Sequence, residues 1–223
     1  MMKKIDNKYI LLFLSTLVFV LLAVLVSTQA TYKFDAEIFL YFKGRVYKSI
    51  STGPAWLLDY FLNVTRFGNV KPVVLISVVF SFYLVILKKG FLADIFLLQV
   101  IGAGLSDIIL KSIFARPRPL TMPHLVYVDT HSFPSGHAAM SIVVYFSCVF
   151  ILTYPLTYKK LKTYILTAAA FFSFILGFSR IYLGVHYLTD VLAGWALGLI
   201  WFSIGWILIE TKGKLSFKNV HNE

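Results

Sequence analysis

The chain is 223 residues long, 59% hydrophobic and only 14% charged, with a mean hydropathy of +0.80. Soluble globular domains run near half apolar and a quarter charged, so this composition excludes them and marks an integral membrane protein. The formal net charge of +11 belongs with membrane topology and anion binding rather than nucleic acid, because no soluble basic surface with aromatic or helical readers exists.

Crossing about 30 Å of hydrocarbon takes about 20 apolar residues. Six stretches qualify: approximately Tyr9 to Gln29, Val70 to Leu87, Phe91 to Phe114, His137 to Tyr154, Leu161 to Phe178 and Leu188 to Leu208. They predict an all-α bundle of six transmembrane helices, one membrane domain over 1–223 with no soluble domain left over. The first stretch follows Lys3, Lys4 and Lys8 and ends at Thr28-Gln29-Ala30, as a secretory signal would. Its apolar run is too long for an ordinary signal core, so an uncleaved anchor is expected. The single cysteine, Cys148, has no partner for a disulfide or a metal cluster.

Between the first two spans, Phe34, Ile38, Phe42, Val46 and Ile50 recur every four residues among Lys33, Asp35, Lys43, Arg45 and Lys48. This pattern predicts one or two amphipathic helices lying in the outer interface, their charges turned away from the apolar face. Trp56, Tyr60 and Phe61 fit an aromatic belt at that depth. The segment reads as a packed connector or as a gate for lipid. A cytoplasmic N-terminus puts Lys3, Lys4 and Lys8, Lys88-Lys89, Lys159, Lys160 and Lys162, and Lys212, Lys214 and Lys218 on the inside, as the positive-inside rule expects.

Against that background, ionisable residues near the spans need a reason, since one at the bilayer centre costs about 2.5–3.5 kcal/mol on insertion scales. They form three clusters: Lys111 with Arg118-Pro119, Pro134-Ser135-Gly136-His137, and Ser179-Arg180 with His186 and Asp190. The parity of the spans brings all three to the outer face. Pro134 to His137 opens a helix, with Ser135 as N-cap and Gly136 allowing close approach, and free amides at a helix start attract anions. Lys111, Arg118 and Arg180 add cationic groups suited to the equatorial oxygens of a phosphoryl group. His186 and Asp190, four apart, share a helical face, so the carboxylate can hold the imidazole in one tautomer and leave the other nitrogen free to attack. His137 across the site can protonate the departing oxygen and later activate water.

These spacings resemble the three signatures of the type 2 phosphatidic acid phosphatase superfamily, complete and in order, with close likeness over about Phe91 to Ile209 and the core motifs at 111–190. The resemblance implies a metal-independent, cofactor-free phosphatase in which His186 is the nucleophile, His137 the acid, and Lys111, Arg118, Ser135, Gly136 and Arg180 bind phosphate. Soluble vanadate-dependent haloperoxidases share the signatures, but six spans argue against that branch. The expectation is a bacterial lipid phosphatase acting at the outer face of the cytoplasmic membrane on a phosphatidylglycerophosphate-like or undecaprenyl pyrophosphate-like lipid, with membrane lipid and no nucleic acid as partners and no oligomeric state implied. A lipid phosphotransferase, a lipid A phosphatase and a non-catalytic lipid-binding relative are the alternatives.

Several residues remain outside the signatures. Asp107, four before Lys111, is expected to pair with it; Asp94 is expected to be structural. Arg116 could meet a second phosphate or a phospholipid. His124, Tyr127, Asp129, Thr130 and His131, in the loop from Pro119 to Phe133, are candidate headgroup readers or loop packing. Gly102, Gly104, Gly194 and Gly198 permit close helix packing.

Overall fold

Backbone amides inside a bilayer must bond within their own segment, and a helix satisfies this locally. In the computed structural model, which describes residues 6–51, 55–119 and 130–220, every regular element is helical: α1 (Asn7–Ser27), α2 (Tyr32–Ser51), α3 (Ala55–Arg66), α4 (Val70–Ile86), α5 (Gly90–Phe114), α6 (Gly136–Met140), a π-helical stretch (Ser141–Phe146), α7 (Ser147–Thr153), α8 (Lys159–Tyr182) and α9 (Leu188–Val220). Five spans are long and apolar enough to cross a membrane, and a sixth is completed by the pair Trp56–Arg66 and Val70–Ile86, bent by 51°. Five of the six expected spans are thus present, with ends within a few residues of those read from hydropathy, whereas the expected second span, Val70 to Leu87, is long enough to cross only when joined with α3.

The fourth span, Gly136–Thr153, was expected to be one uninterrupted α-helix but widens at Ser141–Phe146. There the Ser141 hydroxyl donates to the carbonyls of Ala138 (2.7 Å) and Ser173 (3.2 Å), while the Ser173 hydroxyl donates to the Ser141 carbonyl at 2.9 Å. Hydroxyls bonding to helix carbonyls compete with the regular ladder, and π turns of this kind cluster near functional sites. The exchange also ties the fourth span to α8.

Polar staples hold the outer helices on. Lys8, 4% exposed, sits at the start of α1 with its ammonium 2.8 Å from Asp6 and 2.5 Å from Glu210 of α9. Placed by the sequence among the inner charges, Lys8 is buried there and paired, because a lysine at a span end needs a partner when another helix covers it. In α5, Gln99 donates to the carbonyls of Trp201 (3.0 Å) and Phe202 (3.2 Å) on α9, a contact worth about 0.6 kcal/mol on average in membranes. Phe80, Phe96, Phe146, Phe150 and Phe202 fill the core with edge-on rings, such as Phe150 on Phe202 at 5.0 Å and 86°.

The connector is two helices, as the pattern allowed, but its buried face differs. Asp35 is fully buried and Ile38 and Phe42 pack inward, while Phe34 is 50% exposed. The apolar face therefore contains a carboxylate. Side chains of Val46 and Ile50 lie outside the described residues. In α3, Trp56 and Tyr60 are exposed, whereas Phe61, expected in the same belt, is buried against the Tyr182 ring at 4.3 Å.

α9 meets α6 across two glycines. A Cβ at Gly194 would collide with the Ser135 carbonyl, and one at Gly198 would lie 2.7 Å from the Ala139 carbonyl. Since backbone cannot yield as a flexible side chain does, Gly194→Ala is expected to lower stability by about 1–3 kcal/mol, read as a lower thermal unfolding temperature in detergent. An unchanged unfolding temperature would show that the two helices need no such contact.

Candidate active site

The motif-bearing helix ends meet at one end of the bundle. α5 stops at Ala115, a left-handed residue with φ 42° and ψ 31°, a conformation that costs a non-glycine residue about 1–2 kcal/mol. The chain then turns into Arg116-Pro117-Arg118-Pro119. Ser132 holds this segment: its amide donates to the Arg116 carbonyl at 2.9 Å, and its hydroxyl donates to the carbonyls of Arg116 and Pro117. Residues 120–129, including His124, Tyr127 and Asp129, lie outside the described residues. The remaining loop residues, Thr130 and His131, accept hydrogen bonds from Arg118 through their carbonyls at 2.6 and 3.2 Å.

Arg118 also reaches the α8–α9 turn. Its Nη1 donates to the Val185 carbonyl at 2.8 Å and lies 3.0 Å from His186 Nε2. A guanidinium can only donate, so Nε2 must be the bare, accepting nitrogen and the imidazole proton sits on Nδ1. Nδ1 faces Asp190 Oδ2 at 3.4 Å, within ion-pair range though longer than an ordinary hydrogen bond. His186 and Asp190 do not share a helical face as the spacing suggested. His186 stands on the turn, after left-handed Gly184 (φ 68°) and before α9 begins at Leu188. Asp190, in the first turn of α9, reaches back to accept from the Tyr187 amide at 2.9 Å, the carboxylate half of a capping box.

Around this pair lie further polar groups, some of whose atoms, Ser135 Oγ and Arg180 Nε among them, have no hydrogen-bond partner among the described residues. Ser135 Oγ is fully buried and makes no hydrogen bond among the described residues; it does not cap α6, while its amide donates to the Asp190 carbonyl at 2.9 Å. Arg180 is 1% exposed, with Nη1 donating to Thr65 Oγ1 at 2.6 Å and Nε unpartnered. Lys111 pairs with Asp107 as expected, and that carboxylate packs against Gly136, where a Cβ would lie 2.9 Å from Asp107 Oδ2. His137 Nε2 is 3.2 Å from Asn69 Oδ1, and Gly68 beside it has no room for a side chain against the ring. Asp94, by contrast, is exposed and far from these contacts in the chain.

Arg116 departs from its expected role. Its Nη1 donates to Asp190 Oδ1 at 2.5 Å and Thr189 Oγ1 at 2.8 Å, and its Nη2 donates to Asp35 Oδ2 at 2.7 Å. Burial opposes its charge, but the Asp190 and Asp35 carboxylates more than reverse this and raise its pKa. It borders a cavity of about 440 Å³ between the ends of α1 and α5, yet its terminal nitrogens serve carboxylates rather than a lipid phosphate. Asp35, Thr65, Asn69 and Thr189 are contacts that motif reading missed. The only available signal was for Asp35, which stands three and seven residues before Ile38 and Phe42 and so shares their helical face.

An uncharged imidazole beside a carboxylate, three cations and an unpartnered hydroxyl at a helix start define a membrane enzyme built to handle an anion of phosphate type. Residues 92–214 match the family profile described as the PAP2 superfamily. Phosphatidylglycerophosphatase B of Bacillus subtilis is 32% identical over 149 residues, 66% of this chain and 72% of that protein. The lipid A 4'-phosphatase of Porphyromonas gingivalis is 32% identical over 143 residues, covering 57% and 56% of the two chains. The undecaprenyl-diphosphatase of Sulfolobus acidocaldarius is 31% identical over 110 residues, covering 47% and 48%. The crystal structure of the transmembrane PAP2-type phosphatidylglycerolphosphate phosphatase from Bacillus subtilis superimposes with a TM-score of 0.79 at 28% identity, over 90% of this chain and 96% of that one. That of Aquifex aeolicus LpxE matches in fold, with a TM-score of 0.58 at 24% identity over 77% and 93%. The chain belongs to the PAP2 superfamily.

Burial, then the positive charges of Arg118, Arg180 and Lys111, push the His186 pKa well below the ordinary 6.5. Because folding lowers it, His186 supports the folded state fully above pH 6.5, and that support fades as pH falls through its folded value. Histidine-selective NMR in detergent, assigned with His186→Ala, is expected to give a midpoint below 6.5. A midpoint at or above the ordinary value would contradict the cationic, buried setting.

Proposed function

We propose that this PAP2 enzyme removes phosphate from a membrane lipid, phosphatidylglycerophosphate or undecaprenyl pyrophosphate, at the outer face of the cytoplasmic membrane. The observation that carries the reading is the bare Nε2 of a buried, neutral His186 held between Arg118 and Asp190. Nε2 attacks phosphorus, the bond from phosphorus to the lipid oxygen breaks, and His137 gives its proton to that oxygen. Water then attacks the phosphohistidine, His137 takes the water's proton, and inorganic phosphate leaves. Arg118, Arg180, Lys111, Ser135 and the Gly136 amide stabilise the equatorial oxygens, supplying the charge that a metal ion provides in other phosphoryl-transfer sites. For phosphate to bind, Arg118 exchanges its contact with Nε2 for the phosphate oxygens. The lipid A 4'-phosphatase relative makes a lipid A phosphate the second substrate class.

Phosphate release from a panel of these lipids in detergent with EDTA tests the reading. Wild type is expected to turn over at least one; His186→Ala is expected to lose more than about 10³-fold in kcat, and His137→Ala about 10²- to 10⁴-fold. Undiminished activity of His186→Ala would eliminate the phosphohistidine route, and a strict metal requirement would eliminate the cation-only site. For orientation, a Cys148→Ser, His124→Cys variant is expected to react with a membrane-impermeant thiol reagent in cells whose outer barrier is open. Labelling only after lysis would reverse the topology.

A further inference from the structure

Asp35 belongs to no motif, lies on the connecting helix α2, and is one of the few fully buried carboxylates. It is also fully engaged. Oδ2 accepts from Arg116 Nη2 at 2.7 Å and from Thr189 Oγ1 at 2.6 Å, and Oδ1 accepts from the Thr189 amide at 3.1 Å. Arg116 then bonds Asp190 Oδ1 at 2.5 Å, with its guanidinium 4.3 Å from the centre of the Tyr187 ring. The second Asp190 oxygen takes the Tyr187 amide and faces His186 Nδ1. Hydrogen bonds thus run from Asp35 through Arg116 to Asp190, and the 3.4 Å approach of Asp190 Oδ2 to Nδ1 completes the path to His186.

We propose that Asp35 and Arg116 are positioning residues for the His186 nucleophile: Asp35 orients Arg116, and Arg116 holds the Asp190 carboxylate in the one rotation that keeps the imidazole proton on Nδ1. This rests on His186 being the nucleophile. The physical reason lies in the charges. Asp35 and Asp190 both bond to Arg116, and Asp35 and Arg116 both bond to Thr189, so two buried carboxylates share one guanidinium. Without that cation, repulsion between the two buried carboxylates would turn Asp190 from its place beside the ring. An Asp190 displaced in this way could neither anchor the Nδ1 proton nor stabilise the imidazole as it takes on positive charge. Oriented this way, the pair acts on the chemical step and not on lipid binding, which the distinct cations Arg118, Arg180 and Lys111 supply. The arrangement also gives α2 a purpose beyond joining spans: it carries the outermost support of the site.

The test measures steady-state hydrolysis of phosphatidylglycerophosphate, or of undecaprenyl pyrophosphate if that is turned over faster, by full-length enzyme in mixed micelles. Asp35→Asn is isosteric and removes the charge, keeping one oxygen to accept from Arg116 and the Thr189 hydroxyl while turning an NH2 toward the Thr189 amide; Arg116→Met removes the cation; Arg116→Lys restores charge without the fork. Asp35→Asn and Arg116→Met are each expected to lower kcat by about 10- to 100-fold, the effect that outer partners of a ligand histidine carry, with KM held within about threefold. Arg116→Lys is expected to recover part of the loss. The double variant is expected to be no worse than the poorer single one, because both act through the same carboxylate. Should Arg116→Met fail to fold, Asp35→Asn and Arg116→Lys decide. Wild-type kcat in folded Asp35→Asn, or a loss confined to KM, overturns the proposal and leaves the pair as an anchor for α2. His186→Ala, run alongside, separates the two failures: activity retained there removes the nucleophile itself.

Discussion

The Asp190 carboxylate is the contact on which the rest of the site depends. It is fully buried at the start of α9, where a lone ionised carboxylate would cost several kcal/mol. It is stabilised from three directions: Arg116 on Oδ1, the Tyr187 amide on Oδ2 and the His186 ring beside Oδ2, while its own carbonyl receives the Ser135 amide. The four partners come from three segments. The histidine turn, the arginine segment and the start of the fourth span are therefore located relative to one another through a single residue.

That arrangement explains why the surrounding helices pack as closely as they do. The Ser135 amide can reach Asp190 only if α6 lies against α9, and the gap at Gly194, into which no side chain fits, provides that approach. The corner between α3 and α4 closes the other side. Thr65 accepts from Arg180, Asn69 meets His137, and the Phe67 carbonyl receives the Tyr145 hydroxyl at 2.6 Å from the π-helical stretch. The 51° bend of that helix pair thereby delivers three polar contacts to the end of the bundle where the motifs meet. The left-handed Ala115 and the π turn sit beside the site, where strain is held by surrounding contacts.

Electrostatics divides the cations by task. Arg116 is bound up with two carboxylates and Lys111 with Asp107, whereas Arg180 retains an unpartnered Nε and Arg118 bridges the loop carbonyls to His186. Two arginines only two residues apart thus have different partners, one bound to Asp35 and Asp190 and the other beside His186 Nε2. Both stand before a proline, and in the sequence only the spacing from Lys111 distinguished Arg118.

The amino-acid sequence by itself determined the membrane setting, five of the spans and the convergence of three clusters on one end. All of these follow from local quantities: apolar length against bilayer thickness, and the parity of crossings. The Lys111–Asp107 pair was equally legible, because four residues on a helix place two side chains together whatever surrounds them. Only the tertiary structure decided that Asp35 is buried, since its partner Arg116 lies 81 residues away and no periodicity encodes so distant a cation. The same holds for Thr65 with Arg180 and Asn69 with His137, separated by 115 and 68 residues. It also decided that His186 and Asp190 meet across a turn and a helix start rather than along one helical face. Local spacing sets which residues can be neighbours within a helix, while the pairing of buried charges between helices is settled only when the bundle excludes water from all of them at once.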